Sequence, residues 1–281
     1  MRQATVAEIV ALLARAWPSF PLVVERASAR GFDWRLCSTP FVHREEGQPV
    51  AHVGLVELPL VVGGVATRVA GIHGVVTDPR YRGRGHAGRL LEAALVFADA
   101  RYQTVVLTAG EPTLYRRLGF EVVPEHRFVG PAPRRTPGAL PVVELDPELP
   151  AARDLVHRLL RDRAPVSRVL GVGRELHLFL FKTARRSLRY AADLDALLVY
   201  EIVGTTLQLY DVVAERIPTL SDIVARVPEP VAEVEAYLSP DALCATLEPQ
   251  PCVFDGDEHL LARGALLPAG TPACLPLTAR C

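Results

Sequence analysis

The chain is short of several residue types, and each shortage excludes something. Lys182 is the only lysine, so nearly all of the positive charge is carried by arginine. Asparagine is absent and Met1 is the only methionine. Codon bias in a GC-rich bacterium accounts for that composition, and thermal adaptation is the alternative that missing Asn and Met would also fit. The five cysteines, Cys37, Cys244, Cys252, Cys274 and Cys281, include no C-x-x-C pair. Odd in number and scattered, they form neither a disulfide framework nor a zinc site and read as small buried hydrophobes. No apolar run approaches the roughly 18 residues that signal a membrane span. Met1 to Trp17 lacks the basic start and apolar centre of a signal peptide, so a cytoplasmic location is expected. The net charge of −1 gives no electrostatic footprint for nucleic acid or a membrane surface.

What remains is a globular composition, 49% hydrophobic and 22% charged, in a length of 281 residues that suits two domains. Thr5-Val-Ala-Glu8 reads as a capping box, followed by apolar residues at helical spacing as far as Trp17. A second helix is expected over Pro21 to Ala29. Strands follow over Val50 to Val62 and Val65 to Thr77, joined by a turn at Gly63-Gly64. Gly71 and Gly74 mark a bulge or the close approach of another backbone.

The strand ends at Asp78-Pro79 and leads into Arg80-Tyr-Arg-Gly-Arg-Gly85. A helix with Leu91, Ala94, Leu95 and Ala98 on one face comes next. Free backbone N–H groups and the positive end of the helix dipole make such a junction an anion site. Gly83 and Gly85 let a ligand approach the backbone, and the arginines add positive charge. Gly83-x-Gly85-x-x-Gly88 also has dinucleotide-binding spacing, but the strand before it follows a hairpin rather than opening a βαβ unit. A P-loop is excluded because no Gly-Lys-Ser/Thr follows. Thr104 to Thr108 is a buried strand, Pro112 to Leu118 a short helix, and Phe120 to Val123 another strand.

Arg82-x-x-Gly85-x-Ala87 after a strand resembles the acetyl-CoA signature of the GNAT acetyltransferase superfamily. Tyr115-Arg-Arg-Leu-Gly-Phe120 resembles its second hallmark, in the right order. The resemblance implies an α/β fold with a GNAT mixed sheet flanked by helices. It also implies direct acetyl transfer from acetyl-CoA to an amine, without a metal. By the same resemblance, backbone groups of Val75, Val76 and Thr77 hold the pantetheine arm and polarise the thioester. Arg82, Gly83, Arg84, Gly85, His86 and Ala87 hold the pyrophosphate, and Gly110 and Glu111 line the exit. Tyr115 is then the general acid for the departing thiolate. His73 is the candidate base, as at the matching place in serotonin N-acetyltransferase, with Glu57, Glu111 and His52 as rivals. A non-catalytic acetyl-CoA-binding module is the alternative. The partner expected is an amine-bearing small molecule or peptide, with self-association left open.

Seven prolines fall between Pro124 and Pro150, which reads as a linker between residues 1–130 and 131–281. Beyond it come helices over Ala151 to Leu160 and Leu176 to Arg186. A hairpin of Ala196 to Val203 and Thr206 to Val213 follows, then a helix over Thr219 to Val227. Strands are expected at Val231 to Leu238, Val253 and Leu260 to Leu267. This half resembles a second, smaller GNAT-like unit, as in the enhanced-intracellular-survival acetyltransferases. Asp211 to Pro218, where the glycine loop should stand, contains no glycine and carries Asp211 and Glu215, so this half is not expected to bind acetyl-CoA. In those relatives the C-terminal carboxylate can enter the active site, which draws attention to Cys281.

Overall fold

The computed structural model describes residues 4–135, 137–254 and 256–281. The chain opens with α1 (Val6–Leu13), whose Thr5–Glu8 capping box is formed in both directions. Next come α2 (Phe20–Ala29) and the single turn α3 (Trp34–Cys37), which Asp33 caps by accepting from the Arg35 N–H. Strands β1 (Ser38–Glu45), β2 (Gln48–Val62) and β3 (Val65–Thr77) form an antiparallel meander. The β2–β3 turn is Gly63-Gly64, at φ 57° and 80°, the left-handed pair that a tight hairpin with the right twist needs.

Helix α4 (His86–Asp99) follows the glycine loop. Then come β4 (Val105–Ala109), α5 (Thr113–Arg116) and β5 (Glu121–Val122). The next elements are β6 (Glu125–Pro131), β7 (Val143–Leu145), α6 (Pro150–Asp162), β8 (Leu170–Val172) and α7 (His177–Lys182). The rest of the chain supplies β9 (Leu188–Ala191), β10 (Ala196–Val203), β11 (Thr206–Val213) and α8 (Leu220–Arg226). It ends with β12 (Glu233–Ala236), β13 (Glu248–Cys252) and β14 (His259–Arg263), then a short 3₁₀ turn at Leu277–Ala279.

Among the described residues these strands build two seven-stranded sheets. The first runs β1-β2-β3-β4-β14-β5, with β8 added beside β2; the second runs β13-β6-β12-β11-β10-β9-β7. Two features depart from the linker and boundary expected from sequence. The segment after Pro124 is not a linker: β6 is a strand of the second sheet, paired with both β12 and β13. The prolines there flank the strand, and Pro131 stands at its end, so none removes a ladder hydrogen bond from its middle. Sheet membership also crosses residue 130 in the other direction. Strand β14 inserts between β4 and β5, and β8 pairs with β2, so distant parts of the chain complete the first sheet. Val253, expected in a strand, lies just past β13.

Helix α4 covers one face of the first sheet, where Leu91, Ala94, Leu95 and Ala98 pack on Val53, Leu55, Ala70 and Ile72. The other face is covered by α1 to α3 and α7, whose Leu12, Leu13, Trp34 and Phe179 share one buried cluster with residues of the second sheet. The second sheet keeps its own core around Leu198, Leu209, Ile223 and Val234.

The Asp211 segment differs physically from a phosphate loop. Asp211 is fully buried and takes Arg163 as its ion-pair partner at 2.8 Å, with the Thr278 hydroxyl donating to the same carboxylate. Its charge is consumed inside the core. The turn that follows begins α8 through a Thr219–Asp222 capping box and has no glycine to admit a ligand to the backbone.

Candidate active site

The site is made by two strands that part. Parallel β3 and β4 pair only at Ala70–Val105 and Gly71–Val106. Beyond that point β3 continues to Thr77 along β2, while β4 continues to Ala109 along β14. The edge of β3 from Ile72 to Thr77 is left facing a wedge. A bulge sharpens the divergence: Gly54 opposes His73 and His52 opposes Val76, so Gly74 and Val75 are accommodated opposite Val53 alone. Gly74 sits at φ 58°, and its carbonyl bonds to His52 Nδ1 at 2.8 Å.

A cavity of about 590 Å³ passes through this wedge. His73, Val75, Gly110, Glu111 and Tyr115 all line it, so the structure brings these expected residues together. Tyr115 belongs to the cluster on the α4 face. His73 packs its ring edge-on against Trp34, on the opposite face, at 5.6 Å. The His73 ring lies across β2, which is possible because residue 54 is glycine: a Cβ there would stand 2.4 Å from the imidazole.

Protonation is set by burial. Desolvation, with His52 and Lys182 nearby, pushes His73 down to about 3. At neutral pH His73 is therefore an uncharged hydrogen-bonding group, 2.8 Å from the Ser38 hydroxyl, and a poor store for a proton. Burial raises Tyr115 above the ordinary tyrosine range, which keeps the phenol protonated. Its hydroxyl has no partner among the described residues, and the ring is held by Phe120 at 6.1 Å. The rivals for the base separate clearly. Glu57 is bound by Arg68 and Tyr102, and His52 is fully buried against Gly74; neither lines the cavity. Glu111 lies at the rim as an ionised carboxylate, lowered by accepting from Thr113.

At the far end of β3, Gly83 and Gly85 take φ values of 77° and 75°. Nothing lies within 4 Å of a Cβ built on Gly83, and only the mobile tip of Arg89 lies near one on Gly85. The first-turn N–H groups of α4 have no earlier helical carbonyl to bond and are left for a ligand. Asp78 fixes the entry to this loop: it caps Arg80 and is ion-paired with Arg15 and Arg80. The side chains of two loop residues turn away from the opening. Arg82 Nε donates back to the Thr77 carbonyl, and the His86 ring is buried between His43 and Arg89. For both residues, the backbone is what a pyrophosphate could reach.

His43, Glu45 and His86 bring two imidazoles and a carboxylate together beside this loop. Arg89 donates to His86 Nδ1 at 2.8 Å, which places the hydrogen on Nε2, facing Glu45 at 3.7 Å. In that tautomer His86 offers an ion no lone pair. The group instead ties the first turn of α4 to β1.

Sequence reading missed the remaining walls of the cavity. Trp17, Phe20, Phe32, Trp34 and Phe181 form an aromatic side, and Lys182, Glu258 and Cys281 close the end. The Cys281 carbonyl accepts from both the N–H and the hydroxyl of Thr108, at 3.0 and 2.6 Å, so the tail reaches the inner edge of β4. Its sulfur lies 2.7 Å from where a Gly71 Cβ would stand, which is the close approach that Gly71 serves.

The family model for the GNAT acetyltransferase domain matches residues 1–123. Over those residues the chain is similar to GNAT acetyltransferase domains. The curated N-acetyltransferase YhbS of Escherichia coli K12 is 33% identical over 82 residues, 29% of this chain and 48% of that protein, so the match spans about half of that relative. A probable N-acyltransferase of Enterococcus faecalis V583 superposes with TM-score 0.58 at 15% identity, covering 95% of this chain and 71% of that one. Eis1 of Mycobacterium abscessus gives 0.54 at 16% identity, with 92% and 72% covered. These likenesses show the fold: two mixed sheets flanked by helices.

Proposed function

We propose that the chain transfers an acetyl group from acetyl-CoA directly to an amine. The observation that carries this reading is the wedge between β3 and β4, open from Ile72 to Thr77 and ending at the glycine loop. A pantetheine amide chain would add to the β3 edge as a short strand. The pyrophosphate would lie on the N–H groups of Gly83 to Ala87, with the α4 dipole behind them. A backbone N–H at Val75 or Val76 would meet the thioester oxygen and stabilise the negative charge that forms there.

The amine nitrogen attacks the thioester carbon, the tetrahedral intermediate collapses, and the C–S bond breaks. Tyr115, protonated and lining the wedge, gives its proton to the departing thiolate. His73 is neutral and orients groups through its hydrogen bonds, and the amine's proton leaves toward the solvent-open mouth.

Calorimetry with acetyl-CoA, comparing wild type with Gly85→Glu, tests the cofactor. Binding to wild type that is lost in the variant is expected, because a charged side chain at φ 75° both strains the loop and repels phosphate. Thiol release with amines then tests turnover. Tyr115→Phe should lower kcat by about 10²-fold or more with little change in acetyl-CoA binding. Wild type that fails to bind acetyl-CoA overturns the proposal; binding without thiol release from any amine supports a binding module without turnover, and an unchanged kcat in Tyr115→Phe removes that residue as the acid.

A further inference from the structure

The wedge has two mouths of different character. The α4 face carries the glycine loop and its arginines. The opposite mouth is walled by Trp17, Phe20, Phe32, Trp34 and Phe181, which include both tryptophans of the chain. These rings come from the α1–α2 connection, α2, the α2–α3 connection, α3 and α7. They pack on one another edge-on or tilted, with centroids between 5.5 and 6.5 Å, so the wall is preformed.

Charge on this wall is scarce and mixed. Lys182 lines the cavity, and its field helps to hold His73 uncharged. Glu258 is engaged by Arg280 at 2.9 Å and by the Thr108 hydroxyl at 3.1 Å. Glu111 at the rim accepts from the Thr113 N–H and lies in the field of Arg116, so both lining glutamates already have partners. A polycation entering here would lose its water and find both lining glutamates already engaged. A compact amine on a ring-bearing body would bury its apolar part against the rings. The indole N–H of Trp34, buried without an acceptor among the described residues, would gain one from a hydroxyl or carbonyl on that body.

We infer that the acceptor is a monoamine carried on an aromatic or similarly flat apolar body, seated among Trp17, Phe20, Phe32, Trp34 and Phe181. This rests on the acetyltransferase reading of the same wedge. The transfer is the one already described: the amine N–C bond forms, the C–S bond breaks, and CoA leaves as the thiol.

The test uses the full chain and separates binding from turnover. Phenethylamine lacks indole, so its binding is followed by the fluorescence of Trp17 and Trp34, with and without acetyl-CoA. Thiol release is then measured with phenethylamine, tryptamine, spermidine and kanamycin at matched concentrations. Kcat/KM for the two arylalkylamines is expected to exceed that for spermidine and kanamycin by about 10-fold or more. Trp17 is 44% exposed, so Trp17→Ala should fold. It should raise KM for phenethylamine about 3- to 10-fold and leave acetyl-CoA affinity unchanged. Preference for either polycation, or Trp17→Ala with an unchanged KM, overturns the inference. So does a preference for octanoyl-CoA over acetyl-CoA in thiol release, which would assign the aromatic mouth to a long acyl chain. Phenethylamine that binds without any thiol release would keep the aromatic site and sink the acetyltransferase reading instead.

Discussion

Arg280→Met should destabilise the chain strongly, and the reason is local. The Arg280 guanidinium is 1% exposed, and one of its nitrogens donates to both oxygens of Glu125 at 2.9 Å. Its Nε donates to Glu258 at 2.9 Å, and its charge lies 4.3 Å from the centre of the Phe254 ring. Glu125 is itself 5% exposed, and burial pushes its carboxyl above the usual range even with Arg280 beside it. Without the arginine, that carboxylate keeps only the Leu275 N–H, at 3.0 Å. Breaking one partner out of a buried pair costs about 3–5 kcal/mol. In a chain of this size, that lowers Tm by about 6 °C or more.

Urea unfolding followed by tryptophan fluorescence measures the loss. The companion variant Glu125→Gln/Arg280→Met removes the orphaned charge and should recover about 2 kcal/mol of it. The pH dependence has a defined sign. A lone buried Glu125 is tolerated when protonated, so Arg280→Met should be less damaging at pH 5 than at pH 8. A loss below about 1 kcal/mol, or double-variant costs that simply add, would refute the idea that this pair holds the tail.

Gly71→Ala should cost about 1–3 kcal/mol, since its Cβ would meet Cys281 Sγ at 2.7 Å and Val56 Cγ1 at 3.0 Å. Adding Cys281→Ala should return part of that loss in the same unfolding assay; no recovery would mean that Val56 and Leu58 are the real obstacle. His73, lowered to about 3 from the usual 6.5, binds protons more weakly folded than unfolded. Its contribution to stability is therefore complete above pH 6.5, and falls by up to about 1.4 kcal/mol per unit as pH drops toward 3. Between pH 7 and pH 5 wild type should lose about 2 kcal/mol more than His73→Gln. An equal loss in both would show that the imidazole is not desolvated, and would restore it as a base.

The cofactor loop is legible in the sequence because it is a local object. A strand, two glycines and a capped amphipathic helix are contiguous, and their φ values and free amides follow from residue type. The capping boxes at Thr5 and Thr219 and the hairpins at Gly63 and Gly204 are legible for the same reason. The aromatic mouth is not, because Phe181 joins Trp17, Phe20, Phe32 and Trp34 only through the packing of α7 on α2 and α3. The sequence does hold a trace of it, in four large aromatics within Trp17 to Trp34 of a chain that is 6% aromatic. The strand role of Glu125–Pro131 is hidden by proline counting, which registers the flanks and not the six residues before Pro131.

The return of the chain decides how independent the N-terminal unit is. Strand β14 supplies Leu260 and Leu261, 1% and 0% exposed, between β4 and β5. Among the described residues β5 pairs with no strand except β14. Residues 1–130 alone would therefore expose the outer edge of β4 and leave β5 without a partner. The cluster around Val106 would also be stripped of Leu260, Ala262 and Leu275. An open apolar edge of that kind favours aggregation over folding. Expressed alone, residues 1–130 should fail to unfold cooperatively and should not bind acetyl-CoA, whereas the full chain should do both. A soluble 1–130 fragment that binds acetyl-CoA as the full chain does would show that β4 needs no outer neighbour. The wedge would then be a property of β3 and the glycine loop alone.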